Sequence, residues 1–214
     1  MDQRTLKLFR FGGLAFIIAG VLFFIRCLFL FSLPNVPSST SALLNWLADG
    51  RFKIALSNEL LFFATISLIP ALIVLFKLLN ESDPIKAIVG CGLLATVIPL
   101  FIFLVVIQGR LVYPVYDISL SAESQKLILS IYYGGMHAAF ILLGIATILV
   151  SFGLKNTSIG QPATYLGFIT GVFDFLNAYP WLVGPTIGFV SDCLFAAWFI
   201  FIGLRLRSNH VVNY

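Results

Sequence analysis

The chain has 214 residues, of which 60% are hydrophobic and only 10% are charged. Soluble domains contain about a quarter charged residues, so this composition excludes an ordinary soluble protein and indicates a membrane protein. The net charge of +4 comes from scattered basic residues near the ends of apolar segments, a pattern typical of topology signals and not of a nucleic-acid-binding surface. No polar stretch is long enough for a separate soluble domain. Residues 1–214 are therefore predicted to form one all-helical membrane domain.

Six apolar segments are long enough to cross a hydrocarbon core of about 30 Å at about 1.5 Å per residue, the fifth only barely. The basic start of the chain resembles a signal peptide, but no cleavage site follows it, so the first segment is predicted to be retained as a span. The resulting prediction is a bundle of six transmembrane helices, whose spans are 11–31, 52–79, 87–112, 127–154, 163–180 and 186–206.

The basic residues also predict the orientation of these spans. Eight of them fall on the side that holds both termini, and four fall on the opposite side. Because basic residues accumulate on the cytoplasmic side, both termini are predicted to be cytoplasmic. The eight are Arg4, Lys7, Arg10, Lys77, Lys86, Lys155, Arg205 and Arg207, and the four are Arg51, Lys53, Arg110 and Lys126.

The segment between the first two spans is the longest outer loop. Ser38–Ser41 can cap a short helix that ends at Gly50, and its Leu and Trp spacing suits a helix lying on the membrane interface. A plain surface loop is the alternative interpretation.

Nearly every span carries one ionisable residue at a similar depth near its outer end. Charges within a membrane span are costly, so each of them is a candidate functional residue. A layer of such residues at one level predicts a buried polar centre in the outer half of the bilayer. These residues are Arg26, Glu59, Arg110, His137, Asp174 and Asp192.

The charges can be paired from their positions along the chain. Spans five and six are joined by only Trp181–Pro185, which predicts a tight hairpin with Asp174 and Asp192 nine residues on either side of its midpoint. Two neighbouring carboxylates in a low dielectric require a proton or a cation between them. The guanidinium of Arg26 can bridge two carboxylates, and Glu59 and Arg110 could then form a second pair.

Polar neighbours extend this centre. Tyr133 and His137 lie one turn apart on span four and are a candidate proton relay, although a histidine packed against a neighbouring helix is the more common outcome. Asn177 lies one turn from Asp174. One histidine within the spans cannot build a multi-histidine zinc site, and His210 lies in the tail, so no metal and no cofactor are predicted.

The three cysteines, Cys27, Cys91 and Cys193, are isolated along the chain and lie within apolar segments. Buried cysteines of this kind mostly behave as small hydrophobic residues. None belongs to a C-x-x-C motif, so the sequence offers no paired thiols typical of a thiol-redox enzyme. Cys27 and Cys193 fall at a similar depth, which would allow a contact between them.

Several short segments suggest a family. They are Ser57–Leu61, Gly109–Pro114, Tyr133–His137 and Ala178–Trp181. Through them the whole chain resembles small six-span bacterial proteins of the domain-of-unknown-function 4386 type. The resemblance implies a prokaryotic cytoplasmic-membrane protein, and it implies no activity and no functional residues.

Three classes of function remain open. The first is binding or transport of a small molecule, an ion or a lipid headgroup. The second is an intramembrane enzyme that acts on a lipid, with His137 and an aspartate as acid and base. The third is a structural accessory subunit. Membrane lipids are the expected partners and nucleic acid is not. The candidate ligand-binding residues are Arg26, Glu59, Arg110, Tyr133, His137, Asp174, Asn177 and Asp192.

Overall fold

The computed structural model describes residues 3–208, and 86% of these residues are α-helical. No β-strand occurs among the described residues, which agrees with the predicted all-helical class. The six helices are α1 Gln3–Phe31, α2 Thr40–Asn80, α3 Pro84–Val112, α4 Ala122–Leu154, α5 Gln161–Asn177 and α6 Pro180–Arg207.

Polar side chains define where three of these helices begin. Ser39 accepts a hydrogen bond from the backbone N–H of Ala42, and Ser121 does the same for Ser124. Asp83 accepts from the backbone N–H of Lys86 at the start of α3. These side chains satisfy backbone donors that have no partner within the helix, so each fixes a helix start next to a short loop.

The helices form a closed ring in chain order. Each helix packs against the next one, and α6 packs against α1 to complete the ring. Successive helices run in opposite directions, so the loops 32–39, 113–121 and 178–179 share one end of the bundle, which we call the first side. The loops 81–83 and 155–160 share the opposite end with both chain termini, and we call that end the second side.

Five helices, α1, α2, α3, α4 and α6, are long and apolar enough to cross a membrane. Large hydrophobic side chains are exposed on the outside of the bundle, as expected of a surface that faces lipid. The fifth helix has 17 residues and spans about 25 Å at the usual rise per residue. The chain therefore has the properties of a multi-pass membrane protein.

The start of α2 differs from the sequence prediction. We predicted a separate interfacial helix that ends at Gly50, but α2 runs without interruption from Thr40 to Asn80. Its first turns are held by a small apolar cluster in which Leu43 and Leu47 pack with residues of α3 and α4. The Trp46 Nε1 also donates a 2.8 Å hydrogen bond to the Pro34 carbonyl. These contacts favour continuing the helix through Gly50 over turning onto the interface.

The connection between α5 and α6 also differs. We predicted a loop at Trp181–Pro185, but these residues belong to α6, and only Ala178 and Tyr179 separate the two helices. The expected break occurs inside α6, where Gly184 has a φ of 78°. Glycine lacks a Cβ and adopts this left-handed conformation at little cost, so it can interrupt α6 just before Pro185.

Glycines allow close helix packing at two seams of the ring. A Cβ added at Gly203 of α6 would lie 2.5 Å from the Gly13 carbonyl of α1. A Cβ at Gly171 of α5 would lie 3.0 Å from the Gly144 carbonyl of α4. Gly167 and Gly171 form a G-x-x-x-G motif, and here this motif packs against neighbouring helices within the bundle.

Candidate functional site: a polar centre near the first side

Arg26 is the cationic residue of the polar centre, and it is buried at 5% exposure near the end of α1. Its Nη2 donates a 3.2 Å hydrogen bond to the Tyr132 hydroxyl of α4. The contact crosses the ring, because α1 and α4 are not neighbours in it. A buried guanidinium is tolerated where it is hydrogen-bonded, and Tyr132 supplies one such bond.

Two carboxyl groups face this region from α5 and α6. Asp174 is fully buried, and its Oδ1 accepts a 2.9 Å hydrogen bond from the Ser191 hydroxyl. Asp192 is partly exposed, and its Oδ1 accepts a 3.4 Å hydrogen bond from the Asn177 Nδ2. The predicted proximity of Asp174 and Asp192 is therefore supported by two hydrogen bonds that cross the α5–α6 seam.

The charges of this centre are not balanced. Arg26 attracts Asp192 electrostatically but forms no direct ion pair with it, and the ion pair found among residues 3–208 is that of Lys86 with Asp83. The second oxygen of Asp174 is buried and has no hydrogen-bond partner among the described residues. Two carboxyl groups therefore share one arginine, and one of the two has an unsatisfied oxygen.

Among the described residues, His137 forms a hydrogen bond with the backbone and none with the carboxyl groups of this centre. Its Nδ1 is 2.6 Å from the Ala178 carbonyl, which can only accept, so Nδ1 is the donor and Nε2 of a neutral ring is left as an acceptor. The imidazole packs against the rings of Tyr179 and Trp181, with centroids 5.1 Å and 5.6 Å away. The hydrogen-bond partner of His137 is the backbone carbonyl of Ala178, which follows the last residue of α5. The predicted acid–base role needs a carboxyl group in that position instead.

Three predicted site residues form no hydrogen bond or ion pair with Arg26, Asp174 or Asp192 among the described residues. Glu59 is exposed on the outer face of α2, where its Oε1 accepts a 2.6 Å hydrogen bond from the Tyr113 hydroxyl. Arg110 forms no ion pair with Glu59, and its buried Nη1 has no partner among the described residues. Tyr133 is 43% exposed, and its ring packs edge-to-face against Tyr132 at 5.4 Å, so it lies at the rim of the polar centre and forms no hydrogen bond with His137 among the described residues.

Sequence reasoning missed Tyr132 and Ser191, which contact the charged residues. A signal for Tyr132 was present, because the buried residues Leu129, Tyr132, Met136 and Ala139 recur at helical spacing along α4. Ser191 precedes Asp192, and its role depends on the rotation of α6, which spacing alone does not give.

The contact between Cys27 and Cys193 is confirmed. Their sulfur atoms are 3.8 Å apart across the α1–α6 seam, and both side chains are free thiols. The fold therefore brings two thiols together although the sequence contains no C-x-x-C motif. The third cysteine, Cys91, is buried on α3.

No group of three or more metal-binding side chains occurs within residues 3–208, and His210 lies outside this described part of the chain. In comparisons with known proteins, no family model, no curated protein and no solved structure matches the chain. The resemblance to a bacterial family of unknown function therefore stays a prediction. Within residues 3–208 the chain forms a ring of six helices, five of which are long and apolar enough to cross a membrane.

Proposed function

We propose that this protein binds, and carries across the membrane, a proton or another small cation at the polar centre near its first side. In this proposal the chain is a bacterial cytoplasmic-membrane protein with six spans and both termini in the cytoplasm. Two features support that topology: α5 completes the ring beside five membrane-length helices, and basic residues are more numerous on the second side.

One observation carries the proposal, namely the unsatisfied oxygen of the fully buried Asp174. A buried anionic oxygen without a partner is costly, and a proton or a cation removes that cost. Arg26 cannot supply the missing charge for both carboxyl groups, since its hydrogen bond goes to Tyr132 and its attraction is to Asp192. One further positive charge would make the centre neutral.

The surrounding groups suit a small cation. Carboxyl, amide and hydroxyl oxygens from Asp174, Asn177, Ser191 and Asp192 lie along one seam between α5 and α6. Oxygen donors of this kind bind hard cations, and a carboxyl group also binds a proton. The break at Gly184 lies in α6 between this seam and the first side, so it is where a path from that side would enter.

The two alternative functions receive less support. A lipid-modifying enzyme based on His137 and an aspartate would need these groups in hydrogen-bond reach, whereas His137 binds the Ala178 carbonyl. A purely structural cluster should be fully paired, whereas the Asp174 Oδ2 is not. Both observations favour a site that binds a cation.

The test measures the melting temperature of the purified protein in lipid nanodiscs against pH and against Li⁺, Na⁺ and K⁺ concentration. A bound cation stabilises the folded state by RT ln(1 + [L]/Kd), about 2.7 kcal/mol at one hundred times Kd. We expect the wild type to be stabilised by one of these cations or by protons, and Asp174→Asn to abolish that dependence.

Glu59→Gln is the matched control, because it removes a carboxylate near the first side that faces away from the centre. It should retain the cation or proton dependence of the wild type. Equal dependence in wild type and Asp174→Asn would contradict the proposal, as would the absence of any dependence in the wild type.

A further inference from the structure

The thiols of Cys27 and Cys193 face each other near the first side. Their sulfur atoms are separated by 3.8 Å, which is direct contact with no atom between them. Cys27 also lies 3.0 Å from the Phe24 carbonyl of its own helix turn, an ordinary contact that a rotation of the side chain can break. The two cysteines are 166 residues apart in sequence, so only the closed ring brings them together.

The α1–α6 seam holds this pair in place from both directions. Towards the second side, a Cβ at Gly20 would lie 2.8 Å from the Ala196 carbonyl, so the two backbones are close there. Towards the first side, the rings of Phe31 and Phe189 stack at 4.3 Å. A disulfide needs the sulfur atoms at about 2.05 Å, so the two sulfur atoms would have to approach each other by less than about 2 Å.

We propose that Cys27 and Cys193 form a redox-active dithiol that a lipid-soluble quinone oxidises to a disulfide. The S–S bond forms as both S–H bonds break, and two electrons and two protons pass to the quinone, which becomes a quinol. A separate dithiol reductant regenerates the two thiols by thiol–disulfide exchange and is itself left as a disulfide.

The surroundings of the pair favour an oxidant that dissolves in lipid. Cys27 is buried, and Cys193 is partly exposed on a helix whose outer surface is apolar. A quinone in the hydrocarbon core can approach Cys193 from outside the ring, whereas a charged aqueous oxidant is excluded from it.

The experiment treats the reduced full-length protein in nanodiscs with a fully ring-substituted benzoquinone, which cannot add thiols to its ring. After denaturation, a polyethylene-glycol maleimide counts the remaining thiols on a gel. We expect the number of thiols to fall from three to one, with one quinol formed per protein. Peptide mapping of the unreduced wild type should identify a Cys27–Cys193 bridge, and this readout needs no variant.

Cys91→Ser is the matched control and should lose the same two thiols, because Cys91 lies on α3 away from the pair. Cys27→Ser and Cys193→Ser should each retain both of their remaining thiols and form no quinol. Three free thiols in the quinone-treated wild type would overturn the proposal. A bridge that forms only with an aqueous oxidant would overturn the assignment to a quinone, and thiol loss in Cys27→Ser equal to that in wild type would exclude this pair.

Discussion

Replacement of Arg26 by leucine tests how the polar centre is held together. The change removes the charged hydrogen bond to Tyr132, which is worth about 1.5–3 kcal/mol for a bond to an ionised group. It also leaves Asp192 without the positive charge that attracts it. Breaking a buried direct ion pair costs about 3–5 kcal/mol, and the absence of a direct pair here places the expected loss lower, at about 2–4 kcal/mol.

For a chain of this length, 1 kcal/mol corresponds to about 2–4 °C, so we expect the melting temperature of Arg26→Leu in detergent to fall by about 5–15 °C. Adding Asp192→Asn should restore much of this loss, because it removes the carboxylate that Arg26→Leu leaves without its positive charge. Arg110→Leu is the control, because it removes another guanidinium near the first side. It should lower the melting temperature less, since the Arg110 Nη1 has no hydrogen-bond acceptor. An unchanged melting temperature in Arg26→Leu would refute the reasoning and identify Arg26 as a residue that reaches the interface.

Two further predictions concern packing and topology. Gly171→Ala places a Cβ 2.6 Å from the Ile148 side chain and should lower the free energy of unfolding by about 1–3 kcal/mol. Gly134 has open space around it, so Gly134→Ala should leave the stability unchanged. Equal melting temperatures of the two variants would contradict the close packing at Gly171. In a chain without native cysteines, Ser119→Cys on the first side should react with a membrane-impermeant maleimide in intact cells, and Asn156→Cys on the second side should not. The reverse labelling pattern would place the termini outside.

The depth of the polar residues could be predicted from sequence, and their direction could not. Depth follows from counting residues at a fixed rise, and this correctly brought Asp174 near Asp192 although the loop boundaries were wrong. To predict the direction of a side chain, the rotation of its helix about the helix axis must be known. In a soluble helix the polar face reveals it, but these helices are apolar on the lipid side and on the packed side alike.

The predictions of side-chain direction were wrong on helices whose lipid-facing and packed sides are equally apolar. On α2, Asn58 is buried at 1% exposure and its neighbour Glu59 is exposed, although the sequence favours the charged residue for the centre. On α4, Tyr132 is buried and Tyr133 is 43% exposed. Successive residues of a helix differ in direction by about 100°, so an error of one position moves a side chain from the centre to the lipid.

The corrected directions reduce the predicted layer of six ionisable residues to a smaller and unbalanced group. With Glu59 on the outer face of α2 and Arg110 forming no ion pair, the centre retains Arg26 against Asp174 and Asp192. The six candidate residues are three acids, two arginines and a histidine, and no ion pair joins them among residues 3–208. A buried group with one missing positive charge is more costly than a balanced one, and occupation by a proton or a cation offsets that cost. The incomplete pairing of Arg26, Asp174 and Asp192 is not expected of a purely structural cluster, and it favours a binding site between α5 and α6.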